Sequence, residues 1–162
     1  MLNYGLVGLG NLGEKIARNL LKKNFTVKVY DKDQEKVNQL TKIGAISSLS
    51  AADAGGDVDG LITCLPSPKI STEVMTGEKG AIQKMKPGST WIETSTTDIK
   101  DLQLVSKIAE KQNIKTIEAP VTGGVHKAEK GIITVLVGAE KKIFLEHEEA
   151  IKAFGGKIFY LG

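Results

Sequence analysis

The sequence has little of several things, and each shortage narrows the range of functions. It contains a single cysteine, Cys64, so no intramolecular disulfide can form. No stretch is apolar and long enough to span a membrane. No basic run is interleaved with aromatic residues, and the formal net charge is only +3, so nothing indicates nucleic-acid binding. No signal-peptide pattern precedes the first apolar run, and we therefore expect a cytoplasmic location.

The 162 residues predict one domain, residues 1–162, of an ordinary globular protein, with 41% hydrophobic and 25% charged residues. Apolar runs alternate with amphipathic helical patterns almost to the end. This alternation predicts an α/β fold of the Rossmann type, a doubly wound and mostly parallel sheet with helices on both faces. The predicted strands are 3–8, 26–30, 45–47, 60–65, 90–93, 115–119, 132–137 and 157–161, and the predicted helices are 11–23, 34–43, 68–75, 99–112 and 141–154. We expect the last two strands to extend the sheet in a mixed or antiparallel way.

A glycine-rich segment, Gly8-Leu9-Gly10-Asn11-Leu12-Gly13, lies between the first predicted strand and the first predicted helix. In such a motif Gly8 allows the tight turn, Gly10 lets a pyrophosphate approach the backbone, and Gly13 lets the helix pack on the strand. The helix N-terminus offers N–H groups and a partial positive charge to phosphates. The segment therefore predicts a dinucleotide site, and a glycine turn without a ligand is the alternative.

An acidic residue, Asp31, directly follows the second predicted strand. A carboxylate at this distance from the glycine motif binds the ribose hydroxyls of NAD and disfavours the 2′-phosphate of NADP. The neighbouring Lys32 is a cation that would partly offset this preference. The sequence therefore favours NAD over NADP as cofactor, and a plain surface aspartate is the alternative.

Two more segments follow predicted strands and should border the same crevice, because ligands bind outside the carboxyl ends of the strands. Leu65-Pro66 would line the cofactor, and Thr96 could donate a hydroxyl to the nicotinamide end. The alternative is that Ser95 and Thr97 only cap the next helix. Cys64, inside an apolar run, is predicted to be a buried strand residue and not a nucleophile.

A third segment, Thr122-Gly123-Gly124, also follows a predicted strand. A Thr-Gly-Gly turn exposes backbone N–H groups and a hydroxyl, which together form a candidate nest for a carboxylate. Taken alone, the same residues are more typical of a tight structural loop than of a ligand site, because glycine pairs usually mark turns. The nearby Lys127 and Lys130 are predicted to be solvated. No group of residues predicts a metal site.

Taken in order, three segments resemble the β-hydroxyacid dehydrogenase family, which includes 3-hydroxyisobutyrate dehydrogenase and tartronate semialdehyde reductase. They are the glycine motif, Glu93-Thr94-Ser95-Thr96 and Ala119-Pro120-Val121-Thr122-Gly123-Gly124. The resemblance covers essentially the whole chain and implies hydride transfer between NAD(P) and a 3-hydroxy acid or its semialdehyde. It implies a cofactor site of Gly8, Leu9, Gly10, Asn11, Leu12, Gly13, Asp31, Leu65, Pro66 and Thr96, and a substrate site of Thr122, Gly123 and Gly124.

The chain departs from the family pattern at several positions. Thr122 stands where the family usually has serine, Glu93 where it has aspartate, Ile99 where it has proline, and Leu12 where methionine is common. The family's catalytic lysine, in a Gly-x-x-x-Lys-x-x-x-Asn pattern, has no counterpart here. The resemblance therefore implies a cofactor-binding half without a catalytic residue, which we expect to be inactive alone. A homo-oligomer is compatible with the resemblance, because the family's helical domain supplies subunit contacts.

Two other functions stay open at this point. One is a nucleotide-binding module without chemistry. The other is an oxidoreductase like the imine reductases, which share the glycine motif. Because imine reductases usually lack the hydroxyacid-type loop, Thr122-Gly123-Gly124 counts against the latter. The predicted partner is a small-molecule hydroxy acid or semialdehyde substrate, and neither nucleic acid nor a membrane is predicted as a partner.

Overall fold

The computed structural model describes residues 1–162 and contains a six-stranded sheet in which all strands are parallel. The chain passes through β1 (Asn3–Val7), β2 (Thr26–Tyr30), β3 (Ile46–Ser47), β4 (Gly60–Thr63), β5 (Thr90–Glu93) and β6 (Lys115–Glu118). In space the order is β3-β2-β1-β4-β5-β6. The order reverses between β1 and β4, which makes their carboxyl ends the topological switch point where such sheets bind ligands. The predicted fold class is confirmed.

Helices cover both faces of this sheet. They are α1 (Asn11–Lys22), α2 (Gln34–Thr41), α3 (Ala51–Gly55), α4 (Pro68–Thr76), α5 (Ile99–Glu110), α6 (Val125–Glu129) and α7 (Lys141–Phe154). One apolar cluster joins the sheet to α1, α2 and α7, and a second joins it to α3, α4 and α5. Successive residues of one strand pack into different clusters on the two faces of the sheet. Ile62 belongs to the first cluster and Leu61 to the second. This explains the nearly continuous apolar runs, because both faces of a parallel sheet are buried. None of these helices has the length and apolar character needed to cross a lipid bilayer.

The last strands form a small sheet of their own. It consists of β7 (Val121–Thr122), β8 (Ile133–Val137) and β9 (Gly155–Tyr160), with β7 antiparallel and β9 parallel to β8. An isolated antiparallel bridge between Glu118 and Gly138 links this sheet to the end of β6. The expected mixed extension is therefore present, but as a second sheet joined by one bridge.

Four short elements were not predicted from the sequence: α3, α6, β7 and a single 3-10 turn at Ala81–Gln83. Each has at most five residues, which is too short for apolar periodicity to develop. In α6 only Ala128 is buried, so no stripe marks the helix. The start of β9 at Gly155 lies two residues before the predicted one, because two glycines precede Lys157 and glycine is depleted in strands.

Three polar side chains form a buried chain of hydrogen bonds at the amino-terminal edge of the large sheet. The Tyr4 hydroxyl lies 2.8 Å from Nδ1 of His147, and Nε2 of His147 lies 2.8 Å from Oγ1 of Thr90. Burial lowers the pKa of His147 to about 4 and raises the pKa of Tyr4. Both side chains are therefore neutral near pH 7. No local pattern in the sequence marks His147.

Candidate functional site

A cleft of about 710 Å³ opens at the carboxyl ends of β1, β2, β4 and β5, at the switch point of the sheet. It brings together the glycine segment, the end of β2, the loop after β4 and the loop after β5. Most of the predicted cofactor residues line it, but Leu9 does not. The lining consists of Val7, Gly8, Gly10, Asn11, Leu12, Gly13, Tyr30, Asp31, Lys32, Lys36, Cys64, Leu65, Pro66, Ile70, Val74, Thr94, Ser95, Thr96 and Val121.

The three glycines of the motif have different surroundings. A Cβ on Gly8, whose φ is +96°, would lie 2.2 Å from the carbonyl oxygen of Cys64. A Cβ on Gly13 would lie 1.9 Å from the carbonyl oxygen of Gly8. Neither position can hold a side chain without moving backbone. At Gly10, by contrast, nothing lies within 4 Å of the added atom, so the protein itself does not require glycine there.

The amino end of α1 faces this open space. Gly10 is its N-cap, and the first backbone bond runs from the Glu14 N–H to the Gly10 carbonyl, at 3.0 Å. The N–H groups of Asn11, Leu12 and Gly13 therefore have no acceptor within the helix. Such an end carries a partial positive charge and binds anions. The cleft wall is thus chemically suited to phosphate groups.

Asp31 holds two loops of the cleft together. Its Oδ2 accepts the Leu9 N–H at 2.6 Å, and its Oδ1 accepts the Asp33 N–H at 2.8 Å. Because the carboxylate oxygens each have a second lone pair, the side chain can still accept hydrogen bonds from a ligand. Leu9, one of the predicted cofactor residues, donates its backbone N–H to Asp31, and the residue is almost fully buried.

The loops after β4 and β5 are joined by hydrogen bonds. The Leu65 N–H donates to Oγ of Ser95 at 2.7 Å, and Oγ1 of Thr94 donates to the Thr63 carbonyl at 2.7 Å. Ser95 is thus occupied by Leu65 and does not cap α5. The prediction that Ser95 and Thr97 could be the caps is wrong, because the Asp98 side chain accepts the Lys100 N–H as the N-cap of α5.

Cys64 lies one residue beyond the end of β4 and contributes to the cleft wall. The residue is only partly buried and lies outside the strand. The prediction that Cys64 is a buried strand residue is therefore slightly wrong. Burial of the thiol raises its pKa to about 11. The thiol is therefore protonated at neutral pH and is a poor nucleophile.

The segment Thr122-Gly123-Gly124 lies beside the cleft, next to Val121, but does not line it. All three of its residues are exposed, and Gly123 and Gly124 have φ of +124° and +84°. α6 follows directly and is tied to the glycine-motif helix, because the buried Asn19 amide of α1 donates to the Ala128 carbonyl at 2.8 Å. The predicted substrate segment thus directly follows Val121, a residue of the cleft lining.

Several lining residues were missed by sequence reasoning. Lys36, on α2, lines the cleft, and so do Ile70 and Val74, which are one turn apart on α4. The i, i+4 spacing of Ile70 and Val74 behind a strand end could have indicated that pair. Tyr30 was predicted as the last residue of β2 but not as part of the site.

A family model described as the NAD binding domain of 6-phosphogluconate dehydrogenase matches residues 3–162. The mitochondrial 3-hydroxyisobutyrate dehydrogenase of Rattus norvegicus is 34% identical over 158 residues, which are 98% of this chain and 47% of that protein. The chain thus spans about half the length of the curated relatives it matches. Because this relative is mitochondrial, membership of the family does not by itself indicate a cytoplasmic location.

Solved structures share the fold over nearly the whole chain. A 3-hydroxyisobutyrate dehydrogenase of Mycobacterium tuberculosis, solved with L-serine, has a TM-score of 0.92 at 25% identity, covering 98% of this chain and 54% of that one. The enzyme of the same name from Salmonella typhimurium has a TM-score of 0.92 at 27% identity, covering 98% and 55%. An imine reductase from Pseudomonas sp. reaches a TM-score of 0.89 at 21% identity, covering 99% and 55%, a likeness of fold alone.

Proposed function

Because this chain belongs to the family described as the NAD binding domain of 6-phosphogluconate dehydrogenase, and is related to the 3-hydroxyisobutyrate dehydrogenases, we propose that its cleft holds the dinucleotide of a 3-hydroxyacid dehydrogenase. One observation carries the proposal. Gly10 borders open space in the cleft, whereas Gly8 and Gly13 are enclosed by backbone. A glycine that the fold does not need is expected where a ligand must approach the main chain.

In this proposal the amino end of α1 binds the pyrophosphate through the backbone of Gly8 to Gly13, and Asp31 accepts the ribose hydroxyls. Leu65, Pro66 and Thr96 line the remaining length of the cofactor. The cofactor supplies a hydride acceptor or donor when bound. The chain's own residues bind the dinucleotide, orient it and screen one of its sides from water.

NAD is the proposed cofactor, and NADP is the less favoured one. The Asp31 carboxylate would repel a 2′-phosphate, whereas its cleft neighbours Lys32 and Lys36 would attract one. Asp31 lies directly at the end of β2, where the ribose is bound in this fold class. We therefore give the carboxylate more weight than the two flexible lysines.

The proposed substrate is a 3-hydroxy acid or its semialdehyde. Thr122, Gly123 and Gly124 would hold its carboxylate and hydroxyl through backbone N–H groups and the threonine hydroxyl. We assign the proton transfer to no residue among 1–162, and propose that this chain by itself binds cofactor without turnover. Val121, which directly precedes this segment, lines the cleft, and this adjacency supports the assignment.

Calorimetric titration of the chain with NAD, and in parallel with NADP, tests the proposal directly. We expect saturable binding of both, with NAD the tighter. Absence of NAD binding would contradict the proposed site. Equal affinities would contradict only the cofactor preference.

Asp31→Asn should lower the preference for NAD over NADP by about tenfold, because the substitution removes the charge that opposes the 2′-phosphate at nearly constant volume. The ratio of the two dissociation constants is the quantity to measure. Asp33→Asn is the matched control: it removes the same charge two residues away, where the side chain caps α2 by accepting the Glu35 N–H. An unchanged ratio in Asp31→Asn would remove Asp31 from this role.

A further inference from the structure

Glu93, the last residue of β5, carries a carboxyl group with no solvent exposure at all. No ion pair of the structure includes it. Burial raises the pKa of this carboxyl, and hydrogen bonds from Ser71 and Ser95 act in the opposite direction. Burying a carboxyl group without a cation costs free energy unless its oxygens accept good hydrogen bonds. The donors to these two oxygens therefore indicate what Glu93 does in the structure.

Both oxygens of Glu93 hold parts of the cleft wall. Oε1 accepts the Ser95 N–H at 2.8 Å, and Oε2 accepts the hydroxyl of Ser71 on α4. Ser95 in turn accepts the Leu65 N–H through Oγ. Ser71 follows Ile70, which lines the cleft on α4. Two wall segments, α4 and the loop after β5, thus bond directly to one carboxyl fixed to the sheet, and the loop after β4 is linked to it through Ser95.

Glu93 itself is not part of the cleft lining. We propose that Glu93 is a positioning residue, which sets the width of the dinucleotide cleft by tying α4 and the loop after β5 to the same rigid strand. This role rests on the proposed function of the cleft. It requires no contact between Glu93 and the cofactor.

Removing the carboxyl would leave the Ser95 N–H and the Ser71 hydroxyl without their acceptor in a buried place, where an unmade hydrogen bond is expensive. Both segments would then shift to find other partners. The cofactor would have to restore the wall positions when it binds, and this cost would appear as a weaker affinity. A side chain of similar size that still accepts the Ser95 N–H should avoid the cost.

The test compares three proteins by NAD titration: wild type, Glu93→Met and Glu93→Gln. We expect Glu93→Met to raise the dissociation constant by about tenfold or more, since it fills the space without an acceptor. Glu93→Gln should stay within about threefold of wild type, because its amide oxygen still accepts and the Ser71 hydroxyl can rotate to accept from the amide. This rescue by the conservative variant separates hydrogen bonding from simple space filling.

Tyr4→Phe is the matched control for general destabilisation. It removes a buried hydrogen bond at the opposite edge of the sheet, to His147. Urea unfolding followed by Trp91, the only tryptophan, measures the stability of every variant. We expect Tyr4→Phe to lower stability and leave NAD affinity unchanged, whereas Glu93→Met changes both.

If wild type and Glu93→Met bind NAD equally, the positioning role is overturned and the proposed function stands. If wild type does not bind NAD, both proposals fail. Should Glu93→Met not fold, Ser71→Ala removes only the bond to α4, and we expect about a threefold weaker NAD affinity. An unchanged affinity in Ser71→Ala would overturn the role as well.

Discussion

Gly10→Ala should weaken NAD binding by about 10- to 100-fold while leaving the free energy of unfolding within about 1 kcal/mol of wild type. The added methyl group meets no protein atom within 4 Å, and the residue's φ of −65° and ψ of −171° suit an alanine. The methyl group would project into the space that the proposed pyrophosphate needs. Calorimetry with NAD and thermal unfolding without it measure the two quantities separately.

Gly13→Ala is the contrasting variant within the same motif. Its methyl group would lie 1.9 Å from the Gly8 carbonyl oxygen, so the strand and the helix must move apart. We expect a loss of about 3 kcal/mol or more in the free energy of unfolding, since backbone cannot yield as a flexible side chain does. If Gly10→Ala bound NAD as tightly as wild type, the phosphates would not approach Gly10, and the proposed site would lose its main support.

The large sheet could be predicted because its sequence patterns are long and consistent. Strands buried on both faces read as apolar runs, and α1 and α7 are amphipathic over three turns or more. α7 has the predicted bounds, Lys141–Phe154. The small sheet could not be predicted in this detail, because a two-residue strand such as β7 depends on pairing with β8, which no local pattern records.

The lining of the cleft was predictable where a residue type is required by backbone geometry or by the end of a strand, as at Gly8, Gly13 and Asp31. The role of Glu93 could not be predicted in this way. From the sequence it is only a conservative replacement within a motif, and its importance appears when Ser71, 22 residues away in the chain, is found bonded to it. His147 is similar, because its partner Tyr4 is 143 residues away. Long-range polar partners leave no local pattern.

The environment of His147 makes stability depend on pH. Burial dominates and lowers its pKa, while the carboxylates of Asp59 and Glu146 act to raise it and Lys115 acts to lower it further. Protonating the ring would place a charge next to the Tyr4 hydroxyl and away from water. The ring is an acceptor in at most one of its two hydrogen bonds, and protonation removes that acceptor.

Acidification should therefore destabilise the protein through His147. Its pKa is about 4 in the folded chain against an ordinary value of 6.5, so between these values the unfolded chain binds more protons. The stabilising contribution is complete above pH 6.5 and declines as the pH falls towards about 4. Over this range we expect a loss of about 3 kcal/mol in the free energy of unfolding. Urea unfolding at a series of pH values measures it.

His147→Gln is the variant that isolates this contribution, because it keeps a polar side chain but cannot titrate. The pKa values of Asp59 and Glu146 are also lowered, in part by the charge of His147 itself, and the stability that they contribute is lost only as the pH falls below their ordinary values of 3.8 and 4.5. The difference between the two pH profiles from pH 6.5 down to about 4 therefore reports on the histidine. Parallel profiles over that interval would mean that the buried ring accepts a proton without cost, which its two hydrogen bonds and 3% exposure argue against.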